Sequence, residues 1–211
     1  MDAKLIIISV ATVIVAYFMG NISPAILIGR MYGIDIKKEG SGNAGTTNVL
    51  RVLGKKAAVA TLLIDIFKGV FAVLLGRLVG HYLLSPESTI PEAALYLTLA
   101  CGLAVFCGHI WPIAFGFKGG KGVATAFGVL ITVSPILGLI ELAIVAVVVL
   151  VSRMVSLGAV TAALAFPFVA NWYDSRYLAW GLLMALIVLY KHNANISRLV
   201  KGEESKISFK K

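Results

Sequence analysis

Acidic residues are scarce in this chain. Asp and Glu number 10 among 211 residues, against 19 Lys and Arg, and only 14% of positions are charged. Apart from Asp65, the basic segments expected in the cytoplasm offer only Asp35, Glu39, Glu203 and Glu204, with no D-x-x-x-D array. That argues against a phosphotransferase holding Mg²⁺ through clustered carboxylates. Cysteine is equally sparse. Cys101 and Cys107 share one apolar run without CxxC spacing or a nearby histidine–acid set. They read as small buried hydrophobes, not as a disulfide or a metal site. The pattern G-x-x-x-x-G-K-[ST] is missing, and so is any strand–loop–helix to carry it, so nucleotide binding is not expected.

What the chain has is apolar surface, with 59% hydrophobic residues, which points to a polytopic membrane protein. The net charge of +9 then marks cytoplasmic loops and not a nucleic-acid partner. The first apolar run follows Met1-Asp2-Ala3-Lys4. It lacks a charged leader and is too long for a signal core, so it reads as a retained span.

Residues 5–28 are nearly free of charge and, as a helix, extend about 36 Å, enough for a ~30 Å hydrocarbon core. Gly20-Asn21-Ile22-Ser23-Pro24 makes that run kink-prone. It is either a kink satisfied by neighbouring helices or a wall of a substrate pocket. Further spans are expected at 57–84, 93–115, 155–170 and 177–190, with a basic tail over 191–211. The last residues, with Lys210 and Lys211, read as solvated. Arg30, Lys37, Lys38, Arg51, Lys55 and Lys56 crowd the first polar segment, Lys118 and Lys121 the second, and Arg153 a third. The 85–91 turn has no Lys or Arg, and the 171–176 turn only Arg176. The positive-inside rule puts the N-terminus outside, and the basic segments and C-terminus in the cytoplasm. That requires 124–151 to enter and return as two short helices about Pro135. A single long span there would instead put Arg153 outside. The expected fold is all-α: about seven membrane helices, two of them short, in one integral membrane domain over 1–211. Its site is formed by glycine-rich cytoplasmic loops.

Two such loops stand out. The first reads Gly40-Ser41-Gly42-Asn43-Ala44-Gly45-Thr46-Thr47-Asn48-Val49-Leu50-Arg51. It can offer backbone amides, hydroxyls and carboxamides to one phosphate, with Arg51 binding bidentately. The alternative is a flexible linker. The second, Lys118-Gly119-Gly120-Lys121-Gly122, opens into an apolar helix whose N-terminus adds N–H groups and partial positive charge. It suits a dianion or a second phosphate; its alternative is a cytoplasmic anchor. Asp65 and Lys68 share a helical face as an ion pair or a substrate contact, and Arg77 reads as snorkelling outward. His109 and His192 lie at cytoplasmic helix ends as general-base or oxyanion-donor candidates. His81, near the outer turn, reads as inert. His192 is followed by Asn195, Arg198 and Glu204 on a short amphipathic segment. Ser156 is either an N-cap or a substrate contact. Glycine motifs at helix ends favour an enzyme over an organophosphate transporter, which would place its anion site at broken helices near the midplane.

These blocks resemble the bacterial acyl-phosphate:glycerol-3-phosphate acyltransferase family (PlsY). The resemblance covers nearly the whole chain. It rests on G-S-G-N-x-G-x-T-N-x-x-R at 40–51, D-x-x-K-G at 65–69 and G-H-x-x-P-x-x-x-G-F-K-G-G-K-G-V-A-T at 108–125. It closes with Arg153, Ser156 and H-x-x-N-I-x-R-L-x-x-G-x-E at 192–204. Asn193 and Ala194 stand where the family often has a charged pair, and no role is assigned to them. The resemblance implies a seven-helix bundle in the inner membrane with its site at the cytoplasmic face. It implies transfer of a fatty acyl group from acyl phosphate to the sn-1 hydroxyl of glycerol 3-phosphate. The products are lysophosphatidic acid and inorganic phosphate, in the first acylation of phospholipid synthesis. No cofactor or metal is implied. The partners are the two substrates, membrane lipid and a soluble enzyme that produces acyl phosphate. The His-x4-Asp signature of other acyltransferases is absent, since Pro86, Ala114 and Ser197 stand five residues after the three histidines. On matching positions, Ser41, Asn43 and Arg51 would hold phosphate with Lys118 and Lys121 nearby. His192 and Asn195 would orient the attacking hydroxyl or stabilise the oxyanion. Ser41, Arg51 and Lys118 count with them as catalytic. The expected substrate contacts also include Gly40, Gly42, Gly45, Thr46, Asn48, Lys68, His109, Gly119, Gly120, Gly122, Ser156, Arg198 and Glu204. The proton acceptor is either His192 or a substrate phosphate, whose second pKa lies near ~6.

Overall fold

A computed structural model describes residues 3–84 and 92–207. The expected 85–91 turn and the end of the tail, with Lys210 and Lys211, lie outside the described residues. Among the described residues every regular element is helical. The chain forms two compact units, Met1–Val133 and Ser134–Lys211.

The first unit holds α1 (Ala3–Gly20), α2 (Pro24–Met31), α3 (Thr46–Leu53), α4 (Lys55–Val79), α5 (Ala93–Ile110) and α6 (Val123–Val133). A π-helical turn, Gly80–Leu84, extends α4, and a 3-10 turn, Ile113–Phe115, follows α5. The first apolar run breaks between Gly20 and Pro24. Proline suits the first turn of α2, where no N–H is needed. The break frees carbonyls at the end of α1, and Lys68 of α4 takes two of them: its Nζ donates to Gly20 O at 3.2 Å and Ile22 O at 2.7 Å. The kink is therefore satisfied by a neighbouring helix.

Helices in lipid gain little by hiding apolar surface from each other, so close backbone packing holds them together. A Cβ on Gly108 of α5 would lie 2.1 Å from the Tyr17 carbonyl, and one on Gly20 of α1 would lie 2.2 Å from the Val105 carbonyl. Cys101 is buried and Cys107 half-buried; both are free thiols. Arg77 differs from the snorkelling expectation. Its Nη2 donates to Thr132 O at 2.6 Å and Val133 O at 3.3 Å, capping the end of α6.

The first glycine segment also differs from the sequence reading. Its second half is α3, so Thr46, Asn48 and Arg51 ride on a helix and not in a loop. Gly45 precedes that helix and Gly54, at φ 85°, ends it. Val49 and Val52 turn inward to Ala25, Ile26, Ile36, Ala44, Ala57 and Ala58. The polar residues around these valines, Thr46, Thr47, Asn48 and Arg51, masked the helical period.

The second unit holds α7 (Pro135–Ser152), α8 (Val155–Tyr173), a 3-10 turn Ser175–Tyr177, α9 (Leu178–Lys191) and α10 (Asn193–Val200). The chain breaks at Ser134, so there is no continuous 124–151 helix. Ser134 caps α7, its hydroxyl accepting the Leu137 N–H at 3.4 Å, with Pro135 in the first turn. α8 runs beyond residue 170 to Tyr173; Asp174 then turns the chain by accepting the Arg176 N–H at 3.0 Å.

Among the described residues, five stretches are long and apolar enough to cross a membrane: Ala3–Met31, Lys55–Leu84, Ala93–Phe115, Pro135–Ser152 and Val155–Tyr173. α6 has 11 residues and α9 has 14. α6 is thus a short arm, whereas α7, at 18 residues, has the length of a span.

Candidate active site

The first unit brings the two glycine segments together. Asn48 is 1% exposed and organises the first. Its Oδ1 accepts the Ser41 N–H at 2.8 Å, while its Nδ2 donates to Ile36 O at 3.1 Å and Glu39 O at 3.0 Å. Gly40 is required for this closure: its φ is 59°, and a Cβ there would lie 2.3 Å from Asn48 Oδ1. The carboxamide expected to meet substrate instead staples the loop to α3. Ser41 and Gly42 are left exposed, Asn43, Gly45 and Thr46 half-buried, and Arg51 exposed on α3.

The second segment folds back on the end of α5. Gly119 N–H donates to Ile110 O at 3.1 Å and Gly120 N–H to His109 O at 3.3 Å. A Cβ on Gly120 would lie 2.3 Å from His109 Nε2 and 2.6 Å from the Ala44 carbonyl. Gly120 is therefore the point where the second segment, the His109 ring and the first segment touch. Lys118 beside it is exposed, Lys121 is half-buried, and Gly122 leads directly into α6.

Beneath this contact lies a buried polar triad. Lys68 Nζ is 2.7 Å from Asp65 Oδ1 and 2.8 Å from His109 Nδ1, and that ring nitrogen is 3.1 Å from the same carboxylate oxygen. Asp65, Lys68 and His109 are 1%, 4% and 6% exposed. Of the two readings open for Lys68, this geometry is that of the internal ion pair. Its ammonium also holds the broken end of α1. His109 likewise differs from the phosphate-contact expectation, since its Nδ1 faces the pair and its ring supports Gly120.

The second unit has its own polar centre, built around Glu204. Its Oε1 accepts from Ser156 Oγ at 2.8 Å and Asn195 Nδ2 at 2.7 Å, and its Oε2 from Arg198 Nε at 2.7 Å. Ser156 is therefore not a helix cap. A carboxylate repels phosphate, so Glu204 orients its donors and Arg198 serves Glu204. The strap continues where Ile207 N–H donates to Arg153 O at 2.8 Å. Burial pushes the Glu204 pKa up, but the bonds from Ser156, Asn195 and Arg198 outweigh burial and hold it below the ordinary value of 4.5. A lowered folded-state pKa adds stability above pH 4.5 that is lost as pH falls through the folded value. Protection from hydrogen exchange over 193–207, taken relative to the intrinsic rate at each pH, is expected to fall on acidification below that pH. Glu204→Gln should show low protection already at pH 7 and lose its acid dependence; a wild-type profile in that variant would contradict this.

His192 joins α9 to α10 and is 2% exposed. Its Nδ1 lies 2.8 Å from the Val188 carbonyl. A carbonyl only accepts, so Nδ1 carries the proton and the lone pair of the neutral ring sits on Nε2. Asn195, three positions on, shares its face of the short helix. Sequence reasoning gave Lys37 a topological role only, yet its Nζ donates to Phe115 O at 3.3 Å beside the second segment. Its place just before the first glycine run was the available signal; nothing in the sequence marks the Val188 carbonyl.

The chain is similar to proteins of known activity over nearly its whole length. The glycerol-3-phosphate acyltransferase family profile matches residues 10–202. The glycerol-3-phosphate acyltransferase of Thermoanaerobacter sp. (strain X514) is 42% identical over 205 residues, covering 96% of this chain and 97% of the relative. The crystal structure of PlsY (YgiH), an integral membrane glycerol 3-phosphate acyltransferase, in its glycerol 3-phosphate form, matches with a TM-score of 0.81 at 35% identity. That match covers 95% of this chain and 96% of the other. The lysophosphatidic acid form matches with a TM-score of 0.79 at 35% identity, over 95% of each chain. Sequence likeness and fold likeness each run nearly end to end, and on that ground the chain belongs to the glycerol-3-phosphate acyltransferase family.

Proposed function

We propose that this chain transfers a fatty acyl group from acyl phosphate to the sn-1 hydroxyl of glycerol 3-phosphate, with residues 1–211 acting as one catalytic domain. The hydroxyl oxygen attacks the carbonyl carbon and the carbon–oxygen bond to phosphate breaks. Inorganic phosphate leaves with the electron pair, and lysophosphatidic acid remains. The donor is a mixed anhydride with a good leaving group, so no acyl-enzyme and no cofactor are needed. The protein's task is then juxtaposition and charge stabilisation.

The observation that carries this reading is the contact of Ala44 with Gly120, which brings the surroundings of Asn43 and Lys121 to one place. Ser41, Asn43, Arg51, Lys118 and Lys121 hold phosphate there. His192 Nε2 accepts the hydroxyl proton, with a substrate phosphate as the alternative acceptor, and Asn195 orients the hydroxyl. Glu204 is a positioning residue, acting through Asn195 and Ser156. The basic segments favour a cytoplasmic site in the inner membrane, an outside N-terminus and a cytoplasmic C-terminus. The donor would come from a soluble enzyme that makes acyl phosphate.

Purified protein in lipid, given acyl phosphate and radiolabelled glycerol 3-phosphate, should yield lysophosphatidate and inorganic phosphate in equal amounts. No lysophosphatidate, together with glycerol 3-phosphate counterflow in liposomes, would turn the assignment to a transporter. His192→Ala should lose more than about tenfold in turnover, roughly 1.4 kcal/mol. Near-normal turnover in that variant would remove His192 from the mechanism.

A further inference from the structure

The first unit carries more positive charge beside its glycine segments than those segments contain. Arg30, in the last turn of α2, places its guanidinium carbon 5.6 Å from the centre of the Phe115 ring. Lys37 Nζ lies 5.9 Å from the same ring centre and donates to the Phe115 carbonyl. Lys118 is close enough to act on it: burial lowers the Lys37 pKa, Asp35 raises it, and Lys118 and Arg30 lower it further. Two cations thus sit on one aromatic ring, and Lys118 follows closely, its backbone N–H donating to the Phe115 carbonyl at 3.4 Å. Asp35 offsets part of this. Its carboxylate accepts the Lys37 backbone N–H at 3.1 Å and sits 3.9 Å from Lys38 Nζ. The ring face attracts cations, and an added anion would relieve the repulsion that remains among them.

The border of this cluster is apolar. Tyr32, two residues after Arg30, is 58% exposed; Phe117, next to Lys118, is 55% exposed. Phe117 also sits at φ 60°, with its N–H bonded to Pro112 O at 2.9 Å. A bulky residue held in the left-handed region, with its ring turned outward, is strained without any packing gain. Such strain collects where ligands bind. Exposed aromatic rings beside cations suit the headgroup level of a bilayer.

A cationic focus edged by aromatic rings fits an amphiphilic anion, with a phosphate end and a hydrocarbon chain. Of the two substrates proposed above, only the donor has both. We propose that Arg30 and Lys37, gathered on Phe115, with Lys118 three residues after it, receive the phosphate end of the long-chain acyl phosphate, while Tyr32 and Phe117 flank the start of its chain. This rests on the acyl transfer proposed above, and it makes Lys37 a donor-binding residue. An anionic phospholipid presents the same chemistry, so the test separates the two.

Wild type, Lys37→Ala, Lys37→Arg and Arg30→Ala are compared in phosphatidylcholine vesicles, with and without phosphatidylglycerol. In phosphatidylcholine alone, Lys37→Ala should raise KM for acyl phosphate about tenfold, the loss of one charge-assisted contact. KM for glycerol 3-phosphate and kcat should stay within about twofold, and Lys37→Arg should restore most of the loss. Equal rises in both KM values, or no change in either, would overturn the inference. An effect seen only with phosphatidylglycerol would assign the surface to lipid headgroups and overturn it as well. Arg30→Ala gives the same split on the far side of the ring should Lys37→Ala fail to fold. An inactive wild type would sink the acyl transfer and this inference together. An active wild type with an unaltered Lys37→Ala would sink this inference alone.

Discussion

Lys68→Ala is expected to lower the stability of the purified protein by about 3–5 kcal/mol, the usual cost of orphaning one partner of a buried ion pair. Three groups lose their partner at once. Asp65 keeps a charge without its ammonium, and the Gly20 and Ile22 carbonyls at the break in α1 lose their donor. His109 loses a neighbour 2.8 Å away, and with it part of what fixes the ring behind Gly120. The measurement is the thermal midpoint in detergent, followed by helical signal. Asp65→Leu with Lys68→Leu should cost less than Lys68→Ala alone, because no isolated charge remains in the apolar interior. A single variant that melts with wild type would show that the triad is not a structural anchor.

Arg51→Ala should leave the fold intact and cut kcat/KM by about a hundredfold, roughly 2.7 kcal/mol of transition-state stabilisation. The two halves of that statement have separate causes. Arg51 is exposed on α3, and the inward face of that helix is held by Val49 and Val52, so truncation removes little packing. A guanidinium that grips phosphate contributes charge-assisted, paired bonds that a lysine's point charge does not reproduce. Arg51→Lys should therefore recover only part of the rate. Steady-state rates with both substrates varied, alongside melting curves, provide the check. Unchanged catalysis would remove Arg51 from the phosphate site, and unfolding would make it structural.

The residue pattern carried the membrane layout well. Four of the long apolar runs became helices of span length, whereas the span expected at 177–190 became α9, with only 14 residues, and Ser134-Pro135 broke the chain where proline chemistry requires. Clusters of glycine with lysine marked segments that do meet, at Gly120. What stayed hidden were partners remote in the chain. Lys68 finds Ile22 and His109, 46 and 41 positions away, and Glu204 finds Ser156 48 positions away. Spacing says nothing about such pairs, so side chains that organise the protein read as though they touched substrate. Asn48 misled in the same way: sitting among polar neighbours, it looked like a ligand, yet its amide is consumed within its own loop. α3 was obscured because two valines set its period among asparagine, threonine and arginine.

The Asn48 staple has a thermodynamic corollary. A segment already tied down by three internal bonds has little disorder left to surrender when an anion arrives, so capture there avoids the entropic toll of ordering a floppy strand. Loosening the tie with Asn48→Ala would weaken capture through lost pre-organisation.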